Sequence, residues 1–300
     1  MALLRFDGRV AVITGAGRGV GREYARLLAG RGATVVVNDL GAASNGTGSS
    51  SEPAEQVAQE IRDAGGAAVA DTHSVAEQAG AQALISAARK LFGRIDVLIH
   101  NAGFVNGSYD ELVAVNLSAA HWLTEAAWPT MHDQRYGRIL LTTSSSGLFG
   151  SGNGPAYSPM QSYGASKMGV FGLGRCLAVR GRASNITVNL ISPCAYTRLV
   201  SELALTPRMQ WVADNAPPEL VAPAAAFLVH ESCPVSGQAF AVGAGRVARI
   251  FVGETTGYLN RDMTIEDVAA HLGVILDEDG YHVPADMDEL QDLYMKTASV

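Results

Sequence analysis

The feature that most constrains this chain is a glycine-rich turn between an apolar strand and a helix. Residues 10–13 (VAVI) are a continuous apolar run, and residues 15–21 (GAGRGVG) follow with four glycines in seven positions. Glycine has no Cβ, so such a turn bends sharply and lets its backbone approach a ligand closely. The helical pattern of residues 22–28 aims its free N–H groups and the positive end of its dipole at the turn. The segment therefore predicts a site for a pyrophosphate-like anion.

A carboxylate follows at a distance that suits a dinucleotide. Residues 34–37 (TVVV) are the next apolar strand, and Asp39 comes just after it. Asp39 lies about 20 residues beyond Gly19, where dinucleotide-binding βαβ units place the acid that binds the ribose hydroxyls. The spacing departs from G-x-G-x-x-G, because Val20 occupies the last glycine position counted from Gly15. Strand, glycine turn, helix, strand and terminal acid together predict a dinucleotide site.

Strand and helix patterns alternate along the rest of the chain. The predicted strands are continuous apolar runs, which are typical of a parallel sheet that is covered on both faces. They cover residues 10–13, 34–37, 67–70, 95–99, 138–143, 186–191 and 238–242. Pro193 is expected to end the strand at 186–191, and residues 243–245 (GAG) the strand at 238–242. We predict an α/β fold: a doubly wound, Rossmann-type parallel sheet in residues 1–250, which includes a substrate loop at 194–217. An acidic and partly helical tail is predicted at 251–300.

The charge of the chain is distributed unevenly. The formal net charge is −7 and 48% of the residues are hydrophobic, a composition typical of a globular protein. Residues 261–300 hold ten acidic residues against Arg261 and Lys296, so the rest of the chain is nearly neutral. This balance argues against nucleic acid and an anionic membrane as partners. No apolar run reaches the roughly 18 residues of a membrane span, so we expect a small-molecule substrate and no membrane or nucleic-acid partner.

The cysteines indicate a reducing compartment. Cys176, Cys194 and Cys233 are odd in number and form no C-x-x-C pair, which is typical of a cytosolic protein. The N-terminal residues contain no long apolar stretch of the kind that a secretory signal has. We expect a cytoplasmic protein without a metal site, in which Cys194 is a bystander thiol.

Three residues form a candidate acid–base site. Tyr163 and Lys167 are four positions apart in the predicted helix 162–182, so both side chains project from one face. The unperturbed pKa of tyrosine is about 10, and a nearby ammonium group lowers it by favouring the phenolate. Ser144 follows the predicted strand 138–143, at the edge where open α/β sheets bind their ligands.

The glycine turn, T-G-x-x-x-G-x-G, resembles that of the short-chain dehydrogenase/reductase family, and serine, tyrosine and lysine in this order resemble its catalytic residues. The resemblance covers residues 5 to about 250 and implies a NAD(P)-dependent oxidoreductase. It implies that Tyr163 removes the hydroxyl proton while hydride passes to the nicotinamide. Lys167 then lowers the pKa of that tyrosine and binds the nicotinamide ribose. The same resemblance implies that Ser144 binds the substrate oxygen and that Asn116 holds a water in a proton relay.

The resemblance also assigns the cofactor-binding residues. Asp39 faces a 2′-phosphate with a like charge, which favours NAD over NADP, although Arg18 is a residue seen in members that use NADP. His73 replaces the aspartate that often binds the adenine amino group, and Thr197 falls one position early for the threonine near the nicotinamide. His100 replaces the first asparagine of N-N-A-G and is interpreted as a structural histidine. The residues expected to bind NAD are Gly15, Gly17, Arg18, Gly19, Val20, Gly21, Asp39, Ser74, Val75, Asn101, Ala102, Gly103, Tyr163, Lys167, Pro193 and Thr197.

Tyr157 is an alternative catalytic tyrosine. Its spacing from Ser144 is common in the family, but residue 161 is Gln161, so no lysine follows Tyr157 one turn later. We therefore prefer Tyr163, and infer that the loop before it carries an insertion.

Four further segments narrow the resemblance. Residues 5–10 (RFDGRV), 38–41 (NDLG), 230–233 (HESC) and 242–245 (VGAG) resemble the (3R)-hydroxyacyl-CoA dehydrogenase parts of peroxisomal D-bifunctional proteins and their stand-alone bacterial relatives. That group oxidises a 3-hydroxyacyl thioester with NAD. The apolar residues within 198–212 are expected to cover an acyl chain or a steroid; the alternative is an ordinary surface helix packed on the core.

Three functions remain open from the sequence. The preferred one is NAD-dependent oxidation of a secondary alcohol, a (3R)-3-hydroxyacyl-CoA. The second is a dehydrogenase or reductase of a hydroxysteroid or a xenobiotic carbonyl, and the third is a cofactor-binding subunit without turnover, which the intact catalytic residues disfavour. Members of the family pair the helices that hold Asn116 and Tyr163 across an interface, so the resemblance implies a homodimer or homotetramer.

Overall fold

Eight strands form one sheet in the residues that the computed structural model describes, 3–44, 46–151, 160–201 and 206–298. They are β1 (Val10–Thr14), β2 (Thr34–Asn38), β3 (Ala67–Asp71), β4 (Val97–His100), β5 (Gly137–Thr142), β6 (Ile186–Cys194), β7 (Ala239–Gly243) and β8 (Arg246–Ile250). Their order across the sheet is β3-β2-β1-β4-β5-β6-β7-β8, and all neighbours from β3 to β7 run parallel.

Helices connect these strands and continue beyond them. The first ten are α1 (Gly19–Gly30), α2 (Glu52–Asp63), α3 (Gln78–Phe92), α4 (Tyr109–Val113), α5 (Ala119–Asp133), α6 (Ser145–Phe149), α7 (Met160–Gly181), α8 (Arg198–Ser201), α9 (Pro207–Asn215) and α10 (Ala222–Leu228). The last three are α11 (Ile265–Ala270), α12 (Leu272–Ile275) and α13 (Met287–Ala298). In the described part of the chain, none of them combines the length and the apolar composition that crossing a bilayer requires.

Helices cover the sheet on both faces. Leu28, Val57 and Ala225, from α1, α2 and α10, share one core cluster with Ile13 of β1. Val12 is as fully buried as its neighbour Ile13, and because successive side chains of a strand alternate, it belongs to the opposite face, which α3, α5 and α7 cover. The predicted doubly wound parallel sheet is confirmed.

The order of the strands reverses between β1 and β4. From β1 the chain first adds β2 and β3 on one side, and then crosses to add β4 on the other. Open α/β sheets bind ligands outside the carboxyl ends of the strands at such a switch point. The glycine turn follows β1, and Asn101 to Gly103 follow β4, so the topology brings these two predicted segments to one edge.

The structure departs from the prediction in the last strands. Pro193 does not end β6, which continues to Cys194, and Pro193 pairs with Val242 of β7. A proline costs one ladder hydrogen bond, which a strand tolerates near its end. The eighth strand, β8, was not predicted; Ala244 and Gly245, with φ of 50° and 76°, form a two-residue turn of the kind that joins antiparallel strands.

The sequence pattern of residues 109–131 predicts one long helix that carries Asn116, and the structure interrupts it. Residues Ala114–Ser118 form one π-helical turn between α4 and α5. We call this segment the π-turn. Such turns are rare inside α-helices and are frequent at functional sites.

The chain forms two compact units, Met1–Arg249 and Ile250–Val300. The second unit is held by interactions of its own. Thr264 and Asp267 form a capping box at the start of α11, and the rings of Tyr258 and His271 stack with centroids 3.8 Å apart.

Two glycines of α1 give a matched stability test. A Cβ on Gly21 would overlap the Gly15 carbonyl oxygen and the side chain of Asn101, whereas a Cβ on Gly30 would meet nothing within 4 Å. Gly21→Ala is therefore expected to lower the free energy of unfolding by about 1–3 kcal/mol through overpacking. Gly30→Ala is expected to raise it by up to about 1 kcal/mol. Urea unfolding of both variants measures the difference; equal effects would contradict the close approach of α1 to the turn.

Candidate active site

The glycine turn opens directly onto the first turn of α1. Gly15 and Gly19 have φ of 62° and 53°, a backbone conformation that residues with a Cβ rarely adopt. Arg18 is the N-cap of α1 and makes no side-chain cap hydrogen bond, and Val20 is buried in the first turn. The first N–H groups of α1 are thus left for a ligand, and the helix dipole favours an anionic one.

Asn101 holds the end of β4 against this turn. Its side-chain Nδ2 donates to the Gly15 carbonyl at 3.0 Å, and the hydroxyl of Thr14 accepts from the backbone N–H groups of both Asn101 and Ala102 at 3.1 Å. The structure therefore brings the predicted N-A-G segment and the predicted glycine motif into direct contact.

Asp39 is fixed beside the turn. Its two carboxylate oxygens accept from the backbone N–H groups of Gly17, at 2.9 Å, and Gly41, at 2.8 Å. A carboxylate has about four acceptor positions, so both oxygens can accept again from ribose hydroxyls. The residues of the turn thus fit a dinucleotide: an uncapped helix N-terminus for its phosphates and an oriented carboxylate for its ribose.

Two guanidinium groups meet close to the same turn. Arg18 and Arg198 both donate to the backbone carbonyl of Ala42, at 3.2 and 3.0 Å. Arg198 begins α8 and was not singled out from the sequence. Thr197 precedes Arg198 in the chain. A Cβ on Gly19 would lie 3.2 Å from the methyl group of Thr197. Thr197 therefore lies close to the glycine turn, and its role toward the nicotinamide stays a prediction.

Sequence reasoning missed a carboxylate at the end of β3, the strand that pairs with β2. Asp71 ends β3 and accepts from the side chain of Asn38, at 2.8 Å, and from the ring of His73, at 2.8 Å. The sequence did contain a signal for Asp71, because this acid stands at the carboxyl end of a strand. Val75 is buried, and the Ser74 hydroxyl accepts from the backbone N–H two residues later.

Tyr163, Ser144 and Lys167 lie together at the carboxyl edge of β5. Ser144 is the N-cap of α6, and its hydroxyl is close enough to the phenol of Tyr163 to lower the pKa of that phenol. The ammonium of Lys167 is buried, donates to the Thr142 carbonyl at 2.9 Å, and lies 5.9 Å from the centroid of the Tyr163 ring. The three predicted residues thus form one cluster.

Burial sets the protonation of this cluster. It raises the pKa of the Tyr163 phenol above its ordinary value, and the Ser144 hydroxyl offsets only part of that change. Burial outweighs the lowering that we predict for Lys167 in the chain without cofactor, and the effect of the lysine itself stays a prediction. Burial also lowers the pKa of Lys167, to about 8.

Asn116 is fully buried in the π-turn. Its Oδ1 accepts from the backbone N–H of Phe104 at 3.2 Å, and its Nδ2 donates to the Phe104 carbonyl at 3.1 Å and to the Ser166 hydroxyl at 3.2 Å. A Cβ on Gly103 would lie 2.6 Å from Asn116 Oδ1 and 3.2 Å from Lys167 Nζ. Glycine at position 103 therefore lets the fourth predicted residue approach Lys167.

The predicted substrate loop is described only in part. Tyr157, Leu203 and Leu205 lie outside the described residues. No residue of α9 is buried, and Trp211 exposes 53% of its surface. This disfavours the alternative of an ordinary helix packed on the core, and leaves an apolar surface in the segment that follows β6.

Comparison with known proteins agrees with this geometry. The profile of the family described as short chain dehydrogenase matches residues 9–204. A short-chain type dehydrogenase/reductase of Mycobacterium tuberculosis is 40% identical over 91% of this chain and 95% of its own length. The structure of the full-length peroxisomal multifunctional enzyme type 2 of Drosophila melanogaster superposes with a TM-score of 0.78, at 31% identity, over 98% of this chain.

The match to that peroxisomal enzyme covers 50% of its structure, so this chain spans about half of its length. A 7α-hydroxysteroid dehydrogenase complexed with NADH and a 7-oxo bile acid superposes with a TM-score of 0.69, at 30% identity, over 80% of this chain and 95% of its own. The family profile covers most of the sheet, from β1 past β6, together with the glycine turn, Ser144, Tyr163 and Lys167. This chain belongs to the short-chain dehydrogenase/reductase family, whose members are oxidoreductases that use nicotinamide cofactors.

Proposed function

We propose that this chain is a NAD-dependent dehydrogenase that oxidises the secondary alcohol of a (3R)-3-hydroxyacyl-CoA to a ketone. The observation that carries the proposal is the buried ammonium of Lys167, which donates to the Thr142 carbonyl and lies 5.9 Å from the centroid of the Tyr163 ring, beside Ser144 at the end of β5. This cluster lies at the same sheet edge as the glycine turn, so an alcohol bound there is next to the cofactor.

Tyr163 is the proton-transfer group of the proposed reaction. Burial holds its phenol protonated in this structure, which is the form that donates to a carbonyl oxygen in the reducing direction. In the oxidising direction the phenolate removes the hydroxyl proton, so the rate of oxidation rises with pH. The hydroxyl of Ser144, which lies near the phenol, holds the substrate oxygen within reach of it.

Lys167 and Asn116 support this transfer. With a pKa of about 8, Lys167 exchanges protons close to neutral pH. Both amide donors of Asn116 are engaged with Phe104 and Ser166, so a relay water at Asn116 would donate to one of its oxygen atoms. When bound, the nicotinamide cofactor accepts the hydride.

Asp39 selects NAD in this proposal. The N–H groups of Gly17 and Gly41 fix its carboxylate at the ribose position. Two free hydroxyls can donate to that carboxylate, whereas the 2′-phosphate of NADP would face it with a like charge. The guanidinium groups of Arg18 and Arg198 lie on the Ala42 carbonyl nearby and supply positive charge for the phosphates.

The substrate class rests on the relatives and on α9. The peroxisomal multifunctional enzyme type 2 of Drosophila melanogaster is 39% identical over 92% of this chain and 48% of its own length. Four segments of this chain resemble the (3R)-hydroxyacyl-CoA dehydrogenase part of such proteins: residues 5–10, 38–41, 230–233 and 242–245. The exposed apolar surface of α9, including Trp211, suits an acyl chain. A hydroxysteroid is the second candidate, because the 7α-hydroxysteroid dehydrogenase shares the fold over 80% of this chain.

Assembly belongs to the same proposal. We infer a homodimer or homotetramer in which α5 and α7 pair between subunits. Met168 and Val179 on α7 expose 40% and 42% of their surfaces, and such a contact would bury them.

The function is tested by NADH formation on a panel of (3R)- and (3S)-3-hydroxyacyl-CoA and hydroxysteroids, with NAD and with NADP. We expect the (3R) thioester with NAD to give the highest kcat/KM. Asp39→Ala is expected to reduce the preference for NAD over NADP, measured as the ratio of the two kcat/KM values. The reduction should correspond to roughly 1.5–3 kcal/mol, the value of a hydrogen bond to a charged group. Asp63→Ala, which removes an exposed carboxylate of α2, is the control and leaves that ratio unchanged.

The panel separates the three hypotheses. Preference for a hydroxysteroid would overturn the substrate class and keep the mechanism. A wild-type preference for NADP would contradict the role of Asp39. Cofactor binding without turnover of any alcohol would favour the non-catalytic subunit.

The identity of the proton-transfer group is tested with two phenylalanine variants. Tyr163→Phe removes the phenol and keeps the packing of the ring, so the fold and NAD binding should persist. The rate should fall by roughly 10²–10⁴, the usual loss of general acid–base help. Tyr157→Phe is the control and should change kcat much less. An inactive Tyr157→Phe beside an active Tyr163→Phe would reverse the assignment and remove the inferred insertion.

A further inference from the structure

His100 is a buried histidine next to the proposed site. It is the last residue of β4 and has no exposed surface. Its ring Nε2 lies 3.2 Å from the backbone carbonyl oxygen of Val115. A carbonyl only accepts hydrogen bonds, so Nε2 carries the ring proton and donates it.

Val115 belongs to the π-turn. The helix on either side of this turn is α-helical, and the hydrogen-bond ladder changes from i→i+4 to i→i+5 within it. Local widening of a helix has identifiable causes, and one of them is a side chain that enters the ladder. His100 is such a side chain, because it brings a donor from the sheet to a carbonyl of the turn.

Asn116, the next residue, takes its position from the same turn. Its amide makes three hydrogen bonds, two with the backbone of Phe104 and one with Ser166. Ser166 in turn donates to the Tyr163 carbonyl at 2.8 Å. A hydrogen-bonded chain therefore runs from the turn that His100 contacts to the backbone of α7 at Tyr163.

We propose that His100 is a positioning residue of the active site: its Nε2–H holds the Val115 carbonyl and so fixes the π-turn, which places Asn116 against Gly103 and Lys167. The inference rests on the proposed catalytic role of Asn116. His100 differs from a purely structural histidine in its expected effect. Loss of its donor would displace Asn116, and would not only lower the stability of the fold.

The charge state of His100 suits this task. Burial and the nearby ammonium of Lys167 lower its pKa to about 3, so the ring is neutral over the working pH range. A neutral ring adds no second positive charge beside Lys167. Its Nδ1 is buried and has no hydrogen-bond partner in the described structure, so the interaction with Val115 is the one hydrogen bond that holds the ring.

The test compares two side chains of similar length. His100→Gln keeps an N–H donor at about the reach of Nε2, and His100→Met fills similar space without a donor. We expect His100→Met to lower kcat by roughly 10- to 100-fold through misplacement, with KM for NAD nearly unchanged, and His100→Gln to restore most of kcat. Amide hydrogen exchange of residues 114–118 should be about tenfold faster in the methionine variant only.

Thr124→Val is the matched control. The Thr124 hydroxyl is buried and donates to the Ala120 and His121 carbonyls of α5, so this variant removes a buried hydrogen bond to a helix carbonyl away from the site. It should lower thermal stability and leave kcat unchanged. If His100→Met does not fold, His100→Leu replaces it, since a leucine side chain is apolar and also lacks a donor.

Hydrogen exchange needs no turnover, so it tests His100 even if the proposed reaction is wrong. Equal exchange and equal kcat in the glutamine and donor-less variants would overturn the proposal. So would a donor-less variant that loses stability as Thr124→Val does while its kcat stays at the wild-type value. Fast exchange and low kcat that glutamine restores would support it.

Discussion

The ammonium group of Lys167 is buried between α7 and the end of β5, where it donates to the Thr142 carbonyl. A buried charge is costly unless polar groups surround it, and the surrounding structure meets that need. Position 103 is glycine, so that Asn116 and Lys167 approach the same point. His100 is kept neutral beside the ammonium. Gly103, Asn116 and the neutral His100 thus lie around one buried cation.

The same burial governs the tyrosine. Lys167 and Tyr163 share one face of α7, as their spacing of four residues predicts. The effect of the lysine on the phenol was not predictable, because it depends on how much water reaches the pair. In the structure burial raises the pKa of Tyr163, so the phenol favours the protonated form until a bound cofactor adds its own charge. Spacing predicts the neighbours of a group, and packing decides its protonation.

Local patterns predicted the parts of the site that depend on local geometry. The glycine turn, the acid after β2 and the serine after β5 each follow a strand, and a parallel sheet brings strand ends to one edge. The π-turn was not predicted; its Val115 carbonyl is contacted by His100 from another element, an interaction that local sequence patterns do not show. Asp71 was missed for a similar reason, since one of its partners, Asn38, comes from another strand. Pro193 misled the prediction, because a rule for strand interiors was applied near a strand end.

The most direct test of this account is the pKa of Lys167 itself. The chain contains three lysines, Lys90, Lys167 and Lys296, so an NMR titration of side chains labelled at Cε gives three signals, and Lys167→Met assigns the one of interest. Lys90 and Lys296 are exposed and serve as references in the same spectrum. The account predicts that Lys167 titrates at about 8 in the protein without cofactor. Titration at its ordinary value of 10.5 would show a solvated ammonium and contradict the buried cation on which the site depends.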